Sequence, residues 1–385
     1  MTNETELLRG LLAQAQAAQA RPSGPPPLGY QVELTVKGTR LCNLRCTYCH
    51  DWRSGSGHTM ATETVEALTR KALEHPKHRV ISFNWHGGEP LVLPRKFYQH
   101  ALDLQAQYIQ PSQRVTNSLQ TNGVLLTDEW AQFFVANKFT VGVSLDGPAQ
   151  IHNQVRVDQF GKGTFEAVHA GLANLRRNEV RFGVLVTLGR SMTKLGAEAV
   201  LDFLVSTGAE GCGLNPIRPG HLEPAGPNGT DYIYEEELNE FLIALYEERQ
   251  RRGLRFGIRE LDSVLSRLKT QGSFSCMLAG NCIGTFYVVE PNGDVGHCAR
   301  FIDDDDFYFG NINSHSFDDI RASVKLDDRR QENLASLADK ETCPTYEICN
   351  GGCPHERLVE ERHNPAYNPG CCGRQSLIEY LQRQS

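Results

Sequence analysis

The stretch that decides the fold is residues 32–50, which read VELTVKGTRLCNLRCTYCH. The alternating apolar segment at 32–36 predicts a β-strand, and the loop after it carries three cysteines spaced Cys42-x3-Cys46-x2-Cys49. A structural zinc site usually takes four nitrogen or sulfur ligands arranged in pairs. Three thiolates on one short loop instead suit three irons of a cubane cluster, which leaves the fourth iron free to bind a small molecule. A zinc or purely structural loop is the alternative.

The alternation of strand and helix continues through the middle of the chain. Apolar runs at 80–85, 115–120, 140–145 and 182–187 are followed by helical patterns at 96–107, 128–136, 165–176 and 195–206, and one more strand is expected at 211–217. This spacing predicts parallel strands joined by right-handed crossovers. Six strands are fewer than the eight of a closed barrel. We therefore expect the α/β class and a partial (β/α)6 barrel, with functional loops after the C-terminal ends of the strands.

Composition excludes several classes of protein. The chain has 385 residues, 40% of them apolar and 22% charged, which predicts about two domains with sizeable cores. The net charge of −7 does not provide the basic face that a sequence-independent nucleic-acid binder needs. Neither a membrane-length apolar run nor the basic start of a signal peptide occurs in the sequence. We expect a cytoplasmic protein with no nucleic-acid or membrane partner.

The twelve cysteines indicate two metal-bearing parts. Cytoplasmic thiols stay reduced, so metal or redox chemistry explains this number better than disulfides do. Cys212, on a predicted strand among apolar neighbours, is expected to be an ordinary buried thiol. The eight cysteines after residue 270 are Cys276, Cys282, Cys298, Cys343, Cys349, Cys353, Cys371 and Cys372. We predict an N-terminal helix and Pro-rich linker at 1–30, the barrel at 31–255, a helical bridge at 256–274 and a second cysteine-rich domain at 275–385, with helical segments near 233–252 and 259–270.

The first cysteine motif, with Tyr48 just before its last cysteine, resembles that of the radical S-adenosylmethionine (SAM) enzymes. In that family the three cysteines hold a four-iron cluster whose open iron chelates the amino and carboxylate groups of SAM. An electron from the cluster cleaves the cofactor to a 5′-deoxyadenosyl radical. The resemblance implies these ligand roles for Cys42, Cys46 and Cys49, and a place beside the cofactor for Tyr48.

The segment HGGEP, which contains Gly87, Gly88 and Glu89, follows the second predicted strand and agrees with the resemblance. In the family this segment lies beside the amino group of SAM. Two glycines permit a close backbone approach, and a carboxylate can accept a hydrogen bond from an ammonium. By itself such a segment could be an ordinary turn.

Two further loops resemble cofactor-contacting loops of the branch that includes anaerobic sulfatase-maturing enzymes and peptide maturases. The QTNG segment contains Asn122, and the SLDGPAQIHNQVR segment contains Ser144 and Arg156. The resemblance implies that these three residues contact SAM. Asn122 could instead cap a turn, and Asp146 and His152 of the longer segment could merely shape the loop.

The later cysteines resemble the SPASM domain of the family, which holds two auxiliary four-iron clusters; a pair of zinc ribbons is the alternative. Ten residues separate Cys282 from Gly293, which opens a G-x4-C segment ending at Cys298. The Asn-Gly-Asp tip at 292–294 predicts a β-hairpin. The resemblance implies three clusters in all, with the auxiliary ligands divided as Cys276, Cys282, Cys298 and Cys353 for the first, and Cys343, Cys349 and Cys371 for the second.

One position departs from the family pattern. The family has a cysteine three residues before Cys343, where this chain has Lys340. The second auxiliary cluster is therefore one thiolate short, and Asp339, Glu341, Cys372 or a ligand from outside the chain must complete it. Cys372 directly follows another implied ligand, and neighbouring residues rarely point at one metal with good geometry.

The resemblance leaves three interpretations of function. The first is a maturase that abstracts a hydrogen atom from a carbon of a ribosomally made peptide and forms a cross-link or an oxidised residue. The second is an anaerobic sulfatase-maturing enzyme, which converts a cysteine or serine to formylglycine. The third is a non-catalytic electron-transfer protein, which would have no use for HGGEP or for the loop from Ser144 to Arg156.

The residue after Cys298 separates the first two interpretations. Sulfatase-maturing enzymes carry an aspartate there, the presumed base for the target side chain, and this chain has Ala299. The acidic run at 303–306 could supply a base, although such runs are usually solvated loops. We therefore favour the peptide maturase, with a peptide or protein substrate and a flavodoxin- or ferredoxin-type electron donor.

Overall fold

The computed structural model describes residues 30–49, 58–220, 222, 231–270, 275–302 and 304–384. In this part of the chain ten strands form one sheet in the linear order β10-β9-β8-β1-β2-β3-β4-β5-β6-β7. The six predicted strands are confirmed, and each pairs in parallel with the next along the chain. They are β1 (Gln31–Thr39), β2 (Val80–Gly87), β3 (Arg114–Thr121), β4 (Thr140–Ser144), β5 (Phe182–Leu188) and β6 (Gly211–Pro216). The sheet keeps two open edges, so the barrel is partial, as predicted.

Helices cover the outer face of the barrel strands. They are α1 (Thr62–Glu74), α2 (Arg95–Tyr108), α3 (Asp128–Ala136), α4 (Ala149–Val155), α5 (Phe165–Arg177), α6 (Arg190–Thr193) and α7 (Ala197–Ser206). Helix α1 was not predicted, although its buried residues Val65, Leu68 and Ala72 recur at helical spacing. The predicted helix and linker at 1–30 falls, apart from its last residue, outside the described residues. In the part of the chain that the structure describes, none of the helices has the length and apolar character needed to span a membrane.

The two faces of the barrel strands differ in polarity. In β1 and β2 alternate residues such as Leu34 and Phe83 are fully buried toward the helices, where they join an apolar core. The intervening positions are polar or small, and Asn84, Ser118 and Gly142 line a cavity of about 1060 Å³. A sheet with one apolar face and one polar concave face is suited to holding a ligand inside the barrel.

The second part of the chain continues the same sheet. The bridge helices α8 (Glu235–Arg251) and α9 (Arg259–Thr270) flank the short edge strand β7 (Gly257–Ile258), close to the predicted helical segments. Strands β8 (Phe286–Val289) and β9 (Asp294–Gly296) form the predicted antiparallel hairpin, followed by β10 (Tyr308–Asn311). Five helices complete the domain, namely α10 (Phe317–Arg321), α11 (Val324–Ala338), α12 (Tyr346–Cys349), α13 (Pro354–His363) and α14 (Gln375–Gln384).

A buried carboxylate joins the two parts where β8 pairs in parallel with β1. Glu290, at the end of β8, lies 3.3 Å from Lys37 Nζ and accepts a hydrogen bond of 2.8 Å from Arg40 Nε. The Tyr308 hydroxyl donates to its other oxygen at 3.0 Å. Lys37 and Arg40 belong to β1 and the loop after it, so this contact fixes the cysteine-rich domain to the start of the first cysteine loop.

Replacing Glu290 with Gln should destabilise the protein by about 3–5 kcal/mol, because it removes the charge of a buried carboxylate that pairs with two cations. The matched control is Glu210→Gln, which removes the charge of an exposed pair with Arg181 and should change stability by less than about 1 kcal/mol. Anaerobic urea unfolding of each variant measures the difference. Equal stability of the two variants would contradict the proposed role of this contact.

Candidate functional site

The first cysteine loop leaves the C-terminal end of β1 and is held by backbone pairing. Arg45 N donates to Val157 O at 2.7 Å, and Thr47 N donates to Val155 O at 2.9 Å. These acceptors lie at the end of α4 and in the segment that follows it. The loop is therefore ordered by the fold itself, as a pre-formed ligand set requires.

The three thiols of this loop influence one another. Burial raises the pKa of the Cys42 thiol to about 12, and the nearby Cys46 and Cys49 thiols add to the rise. Burial likewise raises the pKa of Cys46. Thiols in such surroundings become thiolates when a metal takes the place of the proton, so the donor set fits an iron–sulfur cluster.

The spacing of the candidate ligands distinguishes a cluster from a single ion. Within the described ranges no three His, Cys, Asp or Glu side chains lie close enough together to share one metal ion. A cubane cluster has a different requirement, because each thiolate binds its own iron atom. A cluster therefore needs no single position that several side chains share.

Asp146 is the hydrogen-bonding centre of the loops around the cysteines. Its side chain is 1% exposed and accepts hydrogen bonds from the Tyr48 hydroxyl at 2.6 Å, from Arg156 Nε at 2.8 Å and from Thr187 N at 2.9 Å. Arg156 also donates to Cys46 Sγ at 3.9 Å. Asp146 thus shapes the loop and also places Tyr48 and Arg156 against the cysteine motif.

His152 supports the backbone of Asp146 through a hydrogen bond. Its Nδ1 accepts from Asp146 N at 3.4 Å, and its Nε2 lies 3.2 Å from the Thr164 hydroxyl. Burial lowers the pKa of His152 to about 4. A neutral, enclosed imidazole of this kind supports the loop-shaping alternative for His152.

The two glycines of HGGEP allow the cysteine loop to pack on the turn after β2. A Cβ atom on Gly87 would lie 2.1 Å from Thr39 O, and one on Gly88 would lie 2.3 Å from Leu41 O. Gly88 N donates to Thr39 O at 2.9 Å. The two glycines are therefore needed for backbone contact with the cysteine loop.

Glu89 is fully buried beside this contact. Its carboxylate accepts from Leu91 N at 2.9 Å, from the Thr121 hydroxyl at 2.7 Å and from Asn122 N at 2.7 Å. Burial raises its pKa to about 6. A carboxylate has about four acceptor positions, so Glu89 could still accept a hydrogen bond from an ammonium group.

Asn122 and Ser144 complete the set of implied cofactor residues. Asn122 Nδ2 donates to Asn43 Oδ1 at 2.7 Å and lies 4.0 Å from Cys42 Sγ, while Ser144 Oγ accepts from Gln120 Nε2 at 3.0 Å. The structure therefore brings all these residues to one end of the barrel, around the cysteine loop. The set consists of Tyr48, Gly87, Gly88, Glu89, Asn122, Ser144 and Arg156.

The later cysteines fall into two groups in space. In the first group, burial raises the pKa of Cys282 well above its usual value, and the nearby Cys353, Cys276 and Cys298 add to this rise. The second group contains the remaining cysteines of the domain, Cys343, Cys349, Cys371 and Cys372. Here hydrogen bonding between Cys349 and Cys372 lowers the pKa of Cys349 and raises the pKa of Cys372 to about 12.

Sequence reasoning missed a buried ion-pair network where the end of β6 meets α8 and α13. Arg218 lies 2.9 Å from Glu235 and 3.2 Å from Glu356, and it also pairs with Glu360. Arg300, just after the third cysteine of the domain, pairs with Glu356 as well. The helical spacing of Glu356 and Glu360 was the available signal, but their arginine partners are distant in sequence.

The acidic run is on the surface, as its solvated-loop interpretation predicts. Asp304 caps a short helical turn, and Asp305 and Asp306 are exposed at its start; Asp303 lies outside the described residues. Ala299 opens a separate 3₁₀ turn, Ala299–Phe301. The three described aspartates are therefore not in a position that suggests a buried base.

Comparison with known proteins agrees with this geometry. Residues 36–204 match the Radical SAM superfamily, and residues 281–354 match SPASM, an iron–sulfur cluster-binding domain. The chain is 30% identical to the serine-type anaerobic sulfatase-maturating enzyme of Klebsiella aerogenes, over 92% of this chain and 85% of the relative. It is 28% identical to the cysteine-type enzyme of Clostridium perfringens strain 13, over 92% and 96%.

A solved structure, native anSMEcpe with bound AdoMet and Kp18Cys peptide, is similar with a TM-score of 0.81. Its sequence is 26% identical, and the match covers 92% of this chain and 98% of that one. From the cysteine motif, the two matched domains and these relatives, the chain belongs to the radical SAM enzymes with a SPASM domain, in the branch of the anaerobic sulfatase-maturating enzymes, and its cofactors are SAM and four-iron clusters.

Proposed function

We propose that this enzyme converts a cysteine of a sulfatase polypeptide to formylglycine. The observation that supports this most strongly is the similarity to both serine-type and cysteine-type sulfatase-maturating enzymes across more than four fifths of each chain. The comparisons favour this interpretation over the peptide maturase that the sequence favoured. A peptide also occupies the similar solved structure together with AdoMet.

We assign the SAM-binding cluster to Cys42, Cys46 and Cys49, and the first auxiliary cluster to Cys276, Cys282, Cys298 and Cys353. When bound, the first cluster and SAM supply a one-electron oxidant that removes a hydrogen atom from a carbon. Glu89 is placed to accept from the cofactor's ammonium, and Arg156 is placed beside the cysteine loop by Asp146.

The proposed reaction balances with the groups available. Oxidation of the cysteine side chain to a thioaldehyde removes two electrons and two protons. One electron from the donor would go to SAM, which would release methionine and accept one hydrogen atom from the cysteine Cβ as 5′-deoxyadenosine. The thiol proton would go to solvent, and the second electron would return through a bound cluster to the oxidised donor. Water then replaces sulfur, which leaves as hydrogen sulfide, and gives the aldehyde.

The surroundings of Ala299 favour a cysteine over a serine target. The presumed carboxylate base is missing at this position. A cysteine thiol has a pKa of about 8.5. A serine hydroxyl is far less acidic, so it depends on a base much more than a thiol does.

The second candidate is the peptide maturase, and Ala299 is the observation that favours it. Abstraction of a hydrogen atom from a Cα or Cβ position needs no prior loss of a proton. Such an enzyme would need no carboxylate after Cys298. Its product would retain the substrate's sulfur or carry a new cross-link.

Replacement of Cys42, Cys46 and Cys49 together by Ala should abolish cleavage of SAM and leave the auxiliary clusters in place, because the ligand sets lie in different parts of the fold. After anaerobic reconstitution, iron content should fall by about four per chain. Iron analysis and assay of 5′-deoxyadenosine measure both effects. The matched control Cys212→Ala changes a thiol outside the three sets and should retain full iron. Unchanged iron with continued cofactor cleavage in the triple variant would refute the assignment.

Two synthetic sulfatase peptides that differ only by Cys or Ser at the target position test the proposed substrate. The Cys peptide should be converted to formylglycine, and the Ser peptide should be converted at least about tenfold more slowly, because its hydroxyl lacks a base. Turnover of the Cys peptide should rise with pH toward about 8.5, as the thiolate fraction rises. Mass spectrometry of both peptides gives the rates.

If both peptides yield only uncoupled cofactor cleavage, the sulfatase proposal fails and the peptide maturase takes its place. Equal rates for the two peptides would instead show that another residue supplies the base.

A further inference from the structure

The second auxiliary group of cysteines lacks one cysteine of the family pattern. Lys340 stands where the family has a ligand cysteine, and its side chain is hydrogen-bonded to other groups. Lys340 Nζ donates to Ser336 O at 3.1 Å, to Pro369 O at 2.9 Å and to the Tyr367 hydroxyl at 3.3 Å. An ammonium has three donors and no acceptor, so this residue cannot replace the missing thiolate.

The carboxylates on either side of Lys340 are poor candidates for the missing ligand. Asp339 and Glu341 are both exposed, whereas Cys343, Cys349 and Cys371 are at most 9% exposed. A ligand must enter the same enclosed site as the other three. Neither acidic side chain does so in this fold.

Cys372 does lie in that site. It is 9% exposed, and its thiol is hydrogen-bonded to both Cys349 and Cys371. Gly352 makes room for it, since a Cβ atom on this glycine would lie 3.1 Å from Cys372 Cβ. The thiol thus lies beside two of the three ligands already assigned.

The adjacency of Cys371 and Cys372 does not prevent both from binding one cluster. The objection raised from the sequence applies to a single ion, which neighbouring side chains rarely reach together. In a cubane cluster each thiolate binds a separate iron. The chain then turns at Gly373, with φ +85°, and Gly373 N donates to Cys371 Sγ at 3.3 Å. This turn orders the backbone directly after the pair.

We propose that Cys372 is the fourth protein ligand of the second auxiliary cluster, completing a four-thiolate set with Cys343, Cys349 and Cys371 and replacing the thiolate lost at Lys340. The cluster is then closed, with no open iron for a substrate. This inference concerns the auxiliary site alone and holds whether or not the substrate is a sulfatase cysteine.

The test uses the full chain with Cys42, Cys46 and Cys49 replaced by Ala, so that all remaining iron belongs to the auxiliary clusters. Adding Cys372→Ala should lower iron by between about one and four atoms per chain after reconstitution. Adding Cys212→Ala instead should leave iron unchanged, because Cys212 is a buried thiol on β6 away from the cluster sets. Adding Lys340→Cys to the Cys372→Ala variant should restore the lost iron.

A second measurement needs no change at Cys372. Imidazole added to the dithionite-reduced parent variant should leave its electron paramagnetic resonance spectrum unaltered, because four thiolates leave no iron open. In the Cys372→Ala variant, imidazole should change the spectrum. The proposal is overturned if Cys372→Ala retains all iron, or if imidazole already alters the parent spectrum. An altered parent spectrum would overturn the proposal even if the Cys372→Ala chain does not fold.

Discussion

The backbone contact between the cysteine loop and the turn after β2 is the constraint on which the site depends. Gly87 and Gly88 lie so close to Thr39 O and Leu41 O that no side chain could be placed between them. This contact fixes the distance between the cysteine loop and the end of the barrel. It also brings Glu89, buried by the same turn, to the edge of the loop. The parallel register of β1 and β2 then fixes both segments at one end of the sheet.

Charge is balanced locally at each functional loop. Asp146 neutralises Arg156 next to Cys46, and Glu290 neutralises Lys37 and Arg40 where the two domains join. Buried charges of this kind are costly unless paired, so each pair limits where its loop can lie. Arg300, one residue after Ala299, is likewise paired, since it lies against Glu356.

Local sequence patterns predicted the strands, the cysteine motif and the HGGEP turn, because each depends on residues close together in the chain. The contact between Gly88 and Leu41 was not predicted, because it joins segments about 47 residues apart. The network around Arg218 joins residues from three segments, so the helical spacing of Glu356 and Glu360 does not reveal their arginine partner. Cys372 was undervalued for a chemical reason, because the single-ion geometry used to judge it does not apply to a cluster of several irons.

The central claim is that this enzyme removes a hydrogen atom from the β-carbon of a sulfatase cysteine. Its most direct test uses a sulfatase peptide whose target cysteine carries deuterium at Cβ, with SAM, reductant and the reconstituted enzyme. The account predicts that deuterium appears in 5′-deoxyadenosine in step with the formation of formylglycine and the release of hydrogen sulfide. Deuterium-free 5′-deoxyadenosine, or a labelled cofactor product accompanied by a peptide that retains its sulfur, would contradict it.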